Sequence, residues 1–255
     1  MSHYVDLNSD LGESFGNYTL GMDSEVLNHV TSANIACGWH AGDPLIMEAT
    51  VRICKEKGVA VGAHPGYPDL MGFGRRAMAV NPAEAKAYMM YQLGALQAFC
   101  DSYDITLQHM KLHGAFYNTA CVTPVLADAI LDGLQAVNPN ISAMVLSGSY
   151  IAQEAQRRGI PVIQEVFADR GYTEKGTLVP RTEEGAFIKD PQEALDRVLM
   201  MVTKGKVVTN TGKTIDIVAD SICVHGDNPE AIAFTKYIRE GLSKAGITVA
   251  NFQHR

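Results

Sequence analysis

Two rhythms of apolar residues alternate along this chain. Short apolar runs predict strands at 5–9, 33–39, 59–63, 106–112, 142–146, 162–167 and 221–224. Longer segments between them carry helix start and stop signals. Asp43-Pro44, Thr123-Pro124, Asp190-Pro191 and Asn228-Pro229 each put a capping side chain before a proline suited to the first helical position. Asn81-Pro82-Ala83-Glu84 and Asp190-Pro191-Gln192-Glu193 resemble capping boxes, and Gly58, Gly159 and Gly246 stand where helices should stop. Strand and helix in regular alternation make a parallel sheet, and seven repeats favour a closed barrel over an open sheet. The whole chain, 1–255, reads as one α/β domain. Segment 173–189 is too long and polar for a plain strand-to-helix loop and is a candidate lid. Segment 206–216 reads as a hairpin turning at Asn210-Thr211-Gly212, and 247–252 as an eighth strand or an edge piece.

Polar chemistry gathers where the strands end. Asp6 to Glu13, Gly38-Trp39-His40-Ala41-Gly42-Asp43, Gly62-Ala63-His64-Pro65-Gly66, Lys111-Leu112-His113-Gly114 and Asp169-Arg170-Gly171-Tyr172 each follow or finish an apolar run. In a parallel barrel the loops at one end share one pocket. Side chains alternate along a strand, so parity sorts them. Asp6, Asn8 and Asp10 share a face opposite Val5, Leu7 and Ser9; His109, Lys111 and His113 share another, opposite Met110 and Leu112. Glu165 shares a parity with Asp169, and His225 with Asp227. The apolar faces belong against helices, which turns these charges into the barrel, where burial is costly unless they are paired or functional. Taken singly, a strand-end histidine such as His109 or His225 is a structural hydrogen-bonding group, Asp43 and Asn228 are helix caps, and Arg75 and Arg76 a solvated pair. Asp10, His40, His64, Lys111 and His113, converging from four consecutive strands, are a site.

Composition narrows the field. A net charge of -7 without a basic cluster excludes nucleic acid as a partner, and no apolar run reaches the length of a membrane span. Five scattered cysteines without a C-x-x-C pair fit reduced thiols in the cytoplasm. The chain has no P-loop, no dinucleotide fingerprint, no G-x-S-x-G elbow and no H-E-x-x-H.

In their order, these strand-end motifs, with Phe73-Gly74-Arg75-Arg76 and His225-Gly226-Asp227, resemble the LamB/YcsF family over nearly the whole chain. The resemblance implies a seven-stranded parallel β/α barrel of the glycoside hydrolase/deacetylase type. It also implies an activity shared with partner subunits B and C: opening of 5-oxo-L-proline to L-glutamate, coupled to hydrolysis of ATP to ADP and phosphate. A lactam is a resonance-stabilised amide; phosphorylating its oxygen makes the ring carbon electrophilic. Asp10, His64, Lys111 and His113 are the candidate catalytic residues: a base for water, an acid for the ring nitrogen, and a cation for the oxyanion or phosphate. Asn8, His40, Arg75, Arg76, Asp169 and Arg170 are the candidates for substrate contact, the arginines as anchors for carboxylate or phosphate. ATP is then a co-substrate of the complex. The alternative is a metal-dependent amidohydrolase or carbohydrate deacetylase with Asp10, His40 and His64 holding a divalent metal. A non-catalytic binding subunit is a third reading, disfavoured by the density of inward charge.

Overall fold

The computed structural model describes residues 3–226 and 228–252. Six parallel strands, β1 (Tyr4–Leu11), β2 (Ser32–Ala36), β3 (Ala60–His64), β4 (Leu107–Met110), β5 (Ser142–Leu146) and β6 (Val162–Phe167), pair in chain order. Strands β7 (Lys206–Val208) and β8 (Thr214–Asp216) form the expected antiparallel hairpin outside this sheet. Strand β9 (Ser221–Cys223) then pairs with both β6 and β1 and closes a seven-stranded barrel. The C-terminal run supplies only an edge piece, β10 (Thr248–Val249), beside the first residues of β1. All seven expected barrel strands are present. The second stops at Ala36 rather than Trp39, because Gly38 takes a positive φ of 87° and turns the chain over the barrel mouth.

Helices fill the connections: α1 (Asp23–Val26), α2 (Pro44–Lys57), α3 (Pro82–Ser102), α4 (Gly114–Val122), α5 (Pro124–Val137), α6 (Tyr150–Arg157), α7 (Pro191–Lys204) and α8 (Pro229–Lys244). Asp43, Asn81, Asp190 and Asn228 accept from backbone N–H groups of the first turn, as their Pro-containing motifs predicted. The reciprocal capping box forms at Asn81 and Glu84, whereas Asp190 bonds one way to the Glu193 N–H. Thr123 occupies its cap position without a side-chain bond, at the corner where α4 and α5 meet at 115°. No single helix among the described residues is long and apolar enough to cross a membrane.

The apolar face of each strand packs outward against this helical layer. Met89, Leu93 and Leu96 of α3 and Ile130 and Leu134 of α5 are completely buried, each such side chain stabilising by about 1.5–3 kcal/mol. Gly133 lets these two helices touch: a Cβ there would stand 2.9 Å from the Lys86 carbonyl oxygen. The inward face is polar. Gly62 in β3 makes room for it, since a Cβ at that position would meet His109 Nε2 at 2.1 Å, and the β3–β4 register shifts at the same place.

Candidate active site

Strand alternation builds the barrel interior in rungs. At the bottom, Asp6 accepts from the hydroxyls of Thr31 and Ser32 at 2.7 Å each and from Ser221 at 2.5 Å. Above it, Asn8 donates to Ser221 Oγ at 2.7 Å and accepts from the Asn34 amide at 2.8 Å. His109 bonds Asn34 Oδ1 at 2.7 Å. These groups are buried and mutually satisfied, as a polar core requires. Asn8 and His109 therefore lie beneath the site and support it.

Lys111 is the next rung. Only 2% exposed, its Nζ lies 2.9 Å from Asp10 Oδ1 and 2.7 Å from Glu165 Oε1. It also donates to Asn8 Oδ1 at 3.2 Å. Burial would pull the ammonium down, but Asp10 and Glu165 hold it well above its ordinary range. Burial pushes Glu165 up; against the same pressure, His64 and Lys111 keep Asp10 well below the usual carboxylate range. Glu165 is fully buried and accepts from the Tyr117 hydroxyl at 2.8 Å, while Asp10 is 19% exposed to the cavity above.

That cavity, about 120 Å³, is lined by Asp10 of β1 and Glu13 just beyond it, His64 of β3, Lys111 and His113 after β4, and Phe167 of β6. His64 Nε2 lies 3.3 Å from Asp10 Oδ2 and 2.9 Å from His113 Nδ1. His40 lies flat on His113 with ring centres 3.7 Å apart, and its Nε2 is 3.3 Å from Glu13 Oε1. Burial, then the neighbouring His64, depresses His113 to about 3, and burial keeps His40 well below its ordinary value. At the mouth, Arg75 and Arg181 also line the cavity, and neither forms an ion pair among the described residues. Burial and the charge of Arg75 pull Arg181 down.

The expected residues are thus sorted by depth. Asp10, His64, Lys111, His113 and Arg75 come together on the cavity. His40 sits behind it against His113. Arg170 lines the wall but spends its guanidinium on the carbonyls of Ala186 and Val179, at 2.9 and 2.6 Å. Asp169 pairs with His225 at 2.9 Å, and burial is outweighed by that histidine, which keeps the carboxyl low. Arg76 turns away: 68% exposed, it pairs with Asp69 outside the cavity. Asp227 lies outside the described residues.

Glu13, Arg181 and Tyr117 are among the cavity residues that sequence reasoning did not single out. Glu13 follows the end of β1, where alternation no longer reports direction. Arg181 belongs to the long 173–189 segment, which is pinned over the mouth by bridges from Arg170 to Phe187 and Tyr172 to Leu178. Its length was a usable signal; the residue within it was not.

Comparison with known proteins extends the picture. The LamB/YcsF family model matches residues 5–255. A Fusobacterium nucleatum protein, named as the A component of 5-oxoprolinase, is 61% identical over 98% of this chain and 97% of its own length. One of the same name from Pyrococcus horikoshii is 52% identical over 96% of both. The crystal structure of a lactam utilization protein from Thermus thermophilus superposes with a TM-score of 0.92 at 44% identity, covering 98% of this chain and 100% of that one.

Proposed function

Since the chain belongs to the LamB/YcsF family, we propose that it is the lactam-opening subunit of an ATP-dependent 5-oxoprolinase, converting 5-oxo-L-proline to L-glutamate together with subunits B and C. The observation that carries this reading is a charged lysine held between two carboxylates at the base of a cavity that also offers paired histidines and unpaired arginines. Near-neighbours named for lactam chemistry support it.

In this reading Arg75 and Arg181 take the anionic groups of the substrate, its carboxylate and the phosphoryl group that ATP places on the lactam oxygen. Lys111 neutralises the negative charge carried at the phosphorylated lactam oxygen while a first water adds to the ring carbon and the carbon–nitrogen π pair moves onto the ring nitrogen. The cluster of Asp10, His64 and His113 holds that water, takes its proton and returns one to the ring nitrogen as the carbon–nitrogen bond breaks, leaving glutamate as its side-chain acyl phosphate. A second water then cleaves this acyl phosphate to L-glutamate and inorganic phosphate, ADP having left when the lactam oxygen was phosphorylated. Asn8 holds Lys111 from below, Asn34 holds Asp10, and His40 and Asp169 orient His113 and His225. Arg170 braces the long loop. Arg76, outside the cavity, has no place in this scheme. ATP enters this scheme as a co-substrate of the whole complex. The chain acts as one domain, and its five unpaired thiols support a reducing cytoplasm.

The test is glutamate release from 5-oxo-L-proline and ATP. The chain with subunits B and C should turn over, and the chain alone should not. Absence of glutamate with all three, or full activity without this chain, overturns the proposal.

A further inference from the structure

Hydrogen bonds alone leave two of the cavity histidines incomplete. His64 Nδ1 lies 2.8 Å from the Lys111 carbonyl oxygen, and His113 Nε2 lies 2.8 Å from that of Phe73. A carbonyl oxygen only accepts, so each of these nitrogens carries its ring's hydrogen. The other nitrogens of the two rings, His64 Nε2 and His113 Nδ1, face each other 2.9 Å apart. Asp10 Oδ2, a further acceptor, lies 3.3 Å from His64 Nε2, and Glu13 Oε1 lies 3.7 Å from His113 Nδ1. A proton on His64 Nε2 points along one line and answers one of its two contacts. A multivalent cation between these atoms answers all of them together.

We propose that His64 Nε2, His113 Nδ1, Asp10 Oδ2 and Glu13 Oε1 hold a divalent first-row transition-metal ion on the inner wall of the cavity. Nitrogen and oxygen ligands sit about 2.0–2.2 Å from a zinc-sized ion, which spaces neighbouring donors roughly 2.9–3.6 Å apart between octahedral and tetrahedral angles. The separations of 2.9, 3.3 and 3.7 Å fall in or beside that range. Two imidazoles with two carboxylates and no thiolate suit zinc, iron, cobalt or manganese. The ligands are held from behind as such ligands usually are: backbone carbonyls fix both rings, and His40 Nε2 lies 3.3 Å from Glu13.

His40 completes a four-residue cluster of possible donors with Glu13, His64 and His113, yet ring geometry separates it from the other three. An imidazole binds a metal in its own plane. His40 and His113 are stacked, 3° from parallel with centres 3.7 Å apart, so an ion in the plane of one is far out of the plane of the other. His64 stands at 89° to His113, and one ion can lie in both of their planes. All four proposed donors line the cavity, which leaves the ion a side open to water. The site itself stands on this geometry; only its use, polarising the attacking water, rests on the hydrolytic reading given above.

Cobalt(II) is the probe. Untagged full-length protein is stripped with chelator and titrated with Co²⁺, following the visible d–d bands and the bound metal per chain. The expected result is one equivalent per chain. His64→Gln and His113→Gln should lose the bands and at least ~100-fold in affinity, while His40→Gln, removing only an outer contact, keeps one equivalent and the same band shape with a loss of ~10–100-fold at most. Asp10→Asn and Glu13→Gln, which keep side-chain volume, serve where circular dichroism shows a histidine variant unfolded, and each should distort the bands. No Co²⁺ uptake by the parent chain, bands unchanged in the His64, His113, Asp10 and Glu13 variants, or bands abolished by His40→Gln would each overturn the proposal. None of these measurements uses lactam turnover, so failure of the 5-oxoprolinase reading and failure of the metal site are separately visible.

Discussion

Replacing Lys111 with methionine isolates the buried charge at the centre of the site. The side chain keeps its length, but Glu165 loses the cation 2.7 Å away and retains only the Tyr117 hydroxyl at 2.8 Å. A fully buried, unpaired carboxylate takes up a proton instead of remaining charged. At pH 7, protonating a glutamate whose ordinary pKa is 4.5 costs about 1.36 × 2.5, or ~3.4 kcal/mol. At pH 5 the same step costs about 1.36 × 0.5, or ~0.7 kcal/mol. Methionine packing offsets part of both figures equally. Lys111→Met should therefore lower the melting temperature by roughly 6–13 °C at pH 7, at about 2–4 °C per kcal/mol for a chain of this size, and by only a few degrees at pH 5. Adding Glu165→Gln should remove most of that pH dependence. Thermal denaturation of parent, single and double variants at the two pH values decides the matter. Equal losses at both, or no loss at all, would mean that Glu165 does not depend on Lys111 for its charge. Turnover by the variant with subunits B and C should fall at least ~100-fold at either pH.

Asp10→Asn should leave the fold intact, as Asn34 can still bond the retained oxygen, while the full complex loses at least ~100-fold in glutamate formation; a rate within about threefold of the parent would remove Asp10 from the chemistry. Arg76→Ala, outside the cavity, should change kcat/KM by less than about threefold, whereas Arg75→Ala should raise KM strongly. Gly62→Ala forces His109 off Asn34 and should cost about 2–5 kcal/mol through overpacking and a lost buried hydrogen bond, read from urea unfolding. Burial, then the nearby Lys111, depresses His109 to about 3 from 6.5. The unfolded chain therefore binds a proton that the native barrel refuses, and stability contributed above pH 6.5 is lost on acidification. Between pH 7 and pH 5 this one residue should remove about 2 kcal/mol; a urea midpoint unmoved over that interval would contradict the assignment.

Periodicity made the barrel legible, because each strand and each proline-led helix obeys a local rule visible in its own residues. Parity likewise turned Asp10, Lys111 and Glu165 inward, and β1, β4 and β6 place them there. Depth was not legible. Asn8 and Asp10 have the same parity, yet one lies in the amide network and the other on the cavity, a distinction set by register against Asn34 and Lys111. Residues past strand ends escaped for a related reason. Glu13 and Arg181 are aimed by loop conformation, and of the two arginines expected as anchors Arg75 reaches the cavity while Arg76 is captured by Asp69, a partner that spacing alone does not reveal.

The seam between β1 and β9 has a consequence for how the molecule comes into being. Asp6 and Ser221, hydrogen-bonded at 2.5 Å across it, are 215 residues apart. At roughly 5–20 residues per second, a ribosome delivers the second about 10–40 s after the first. Throughout that interval the opening strand, with its buried Asp6, has no neighbour on one side. Closure is an event of high contact order, slow by nature, and it is the step that brings Cys223 to Lys111, 3.1 Å from its ammonium. The polar interior is thus wet until the last strand arrives, and the active cavity is among the last features of the newborn chain to exist. A nascent chain truncated before Ser221 should be captured by chaperones and readily proteolysed in β1, long after α3 and α5 have become protected.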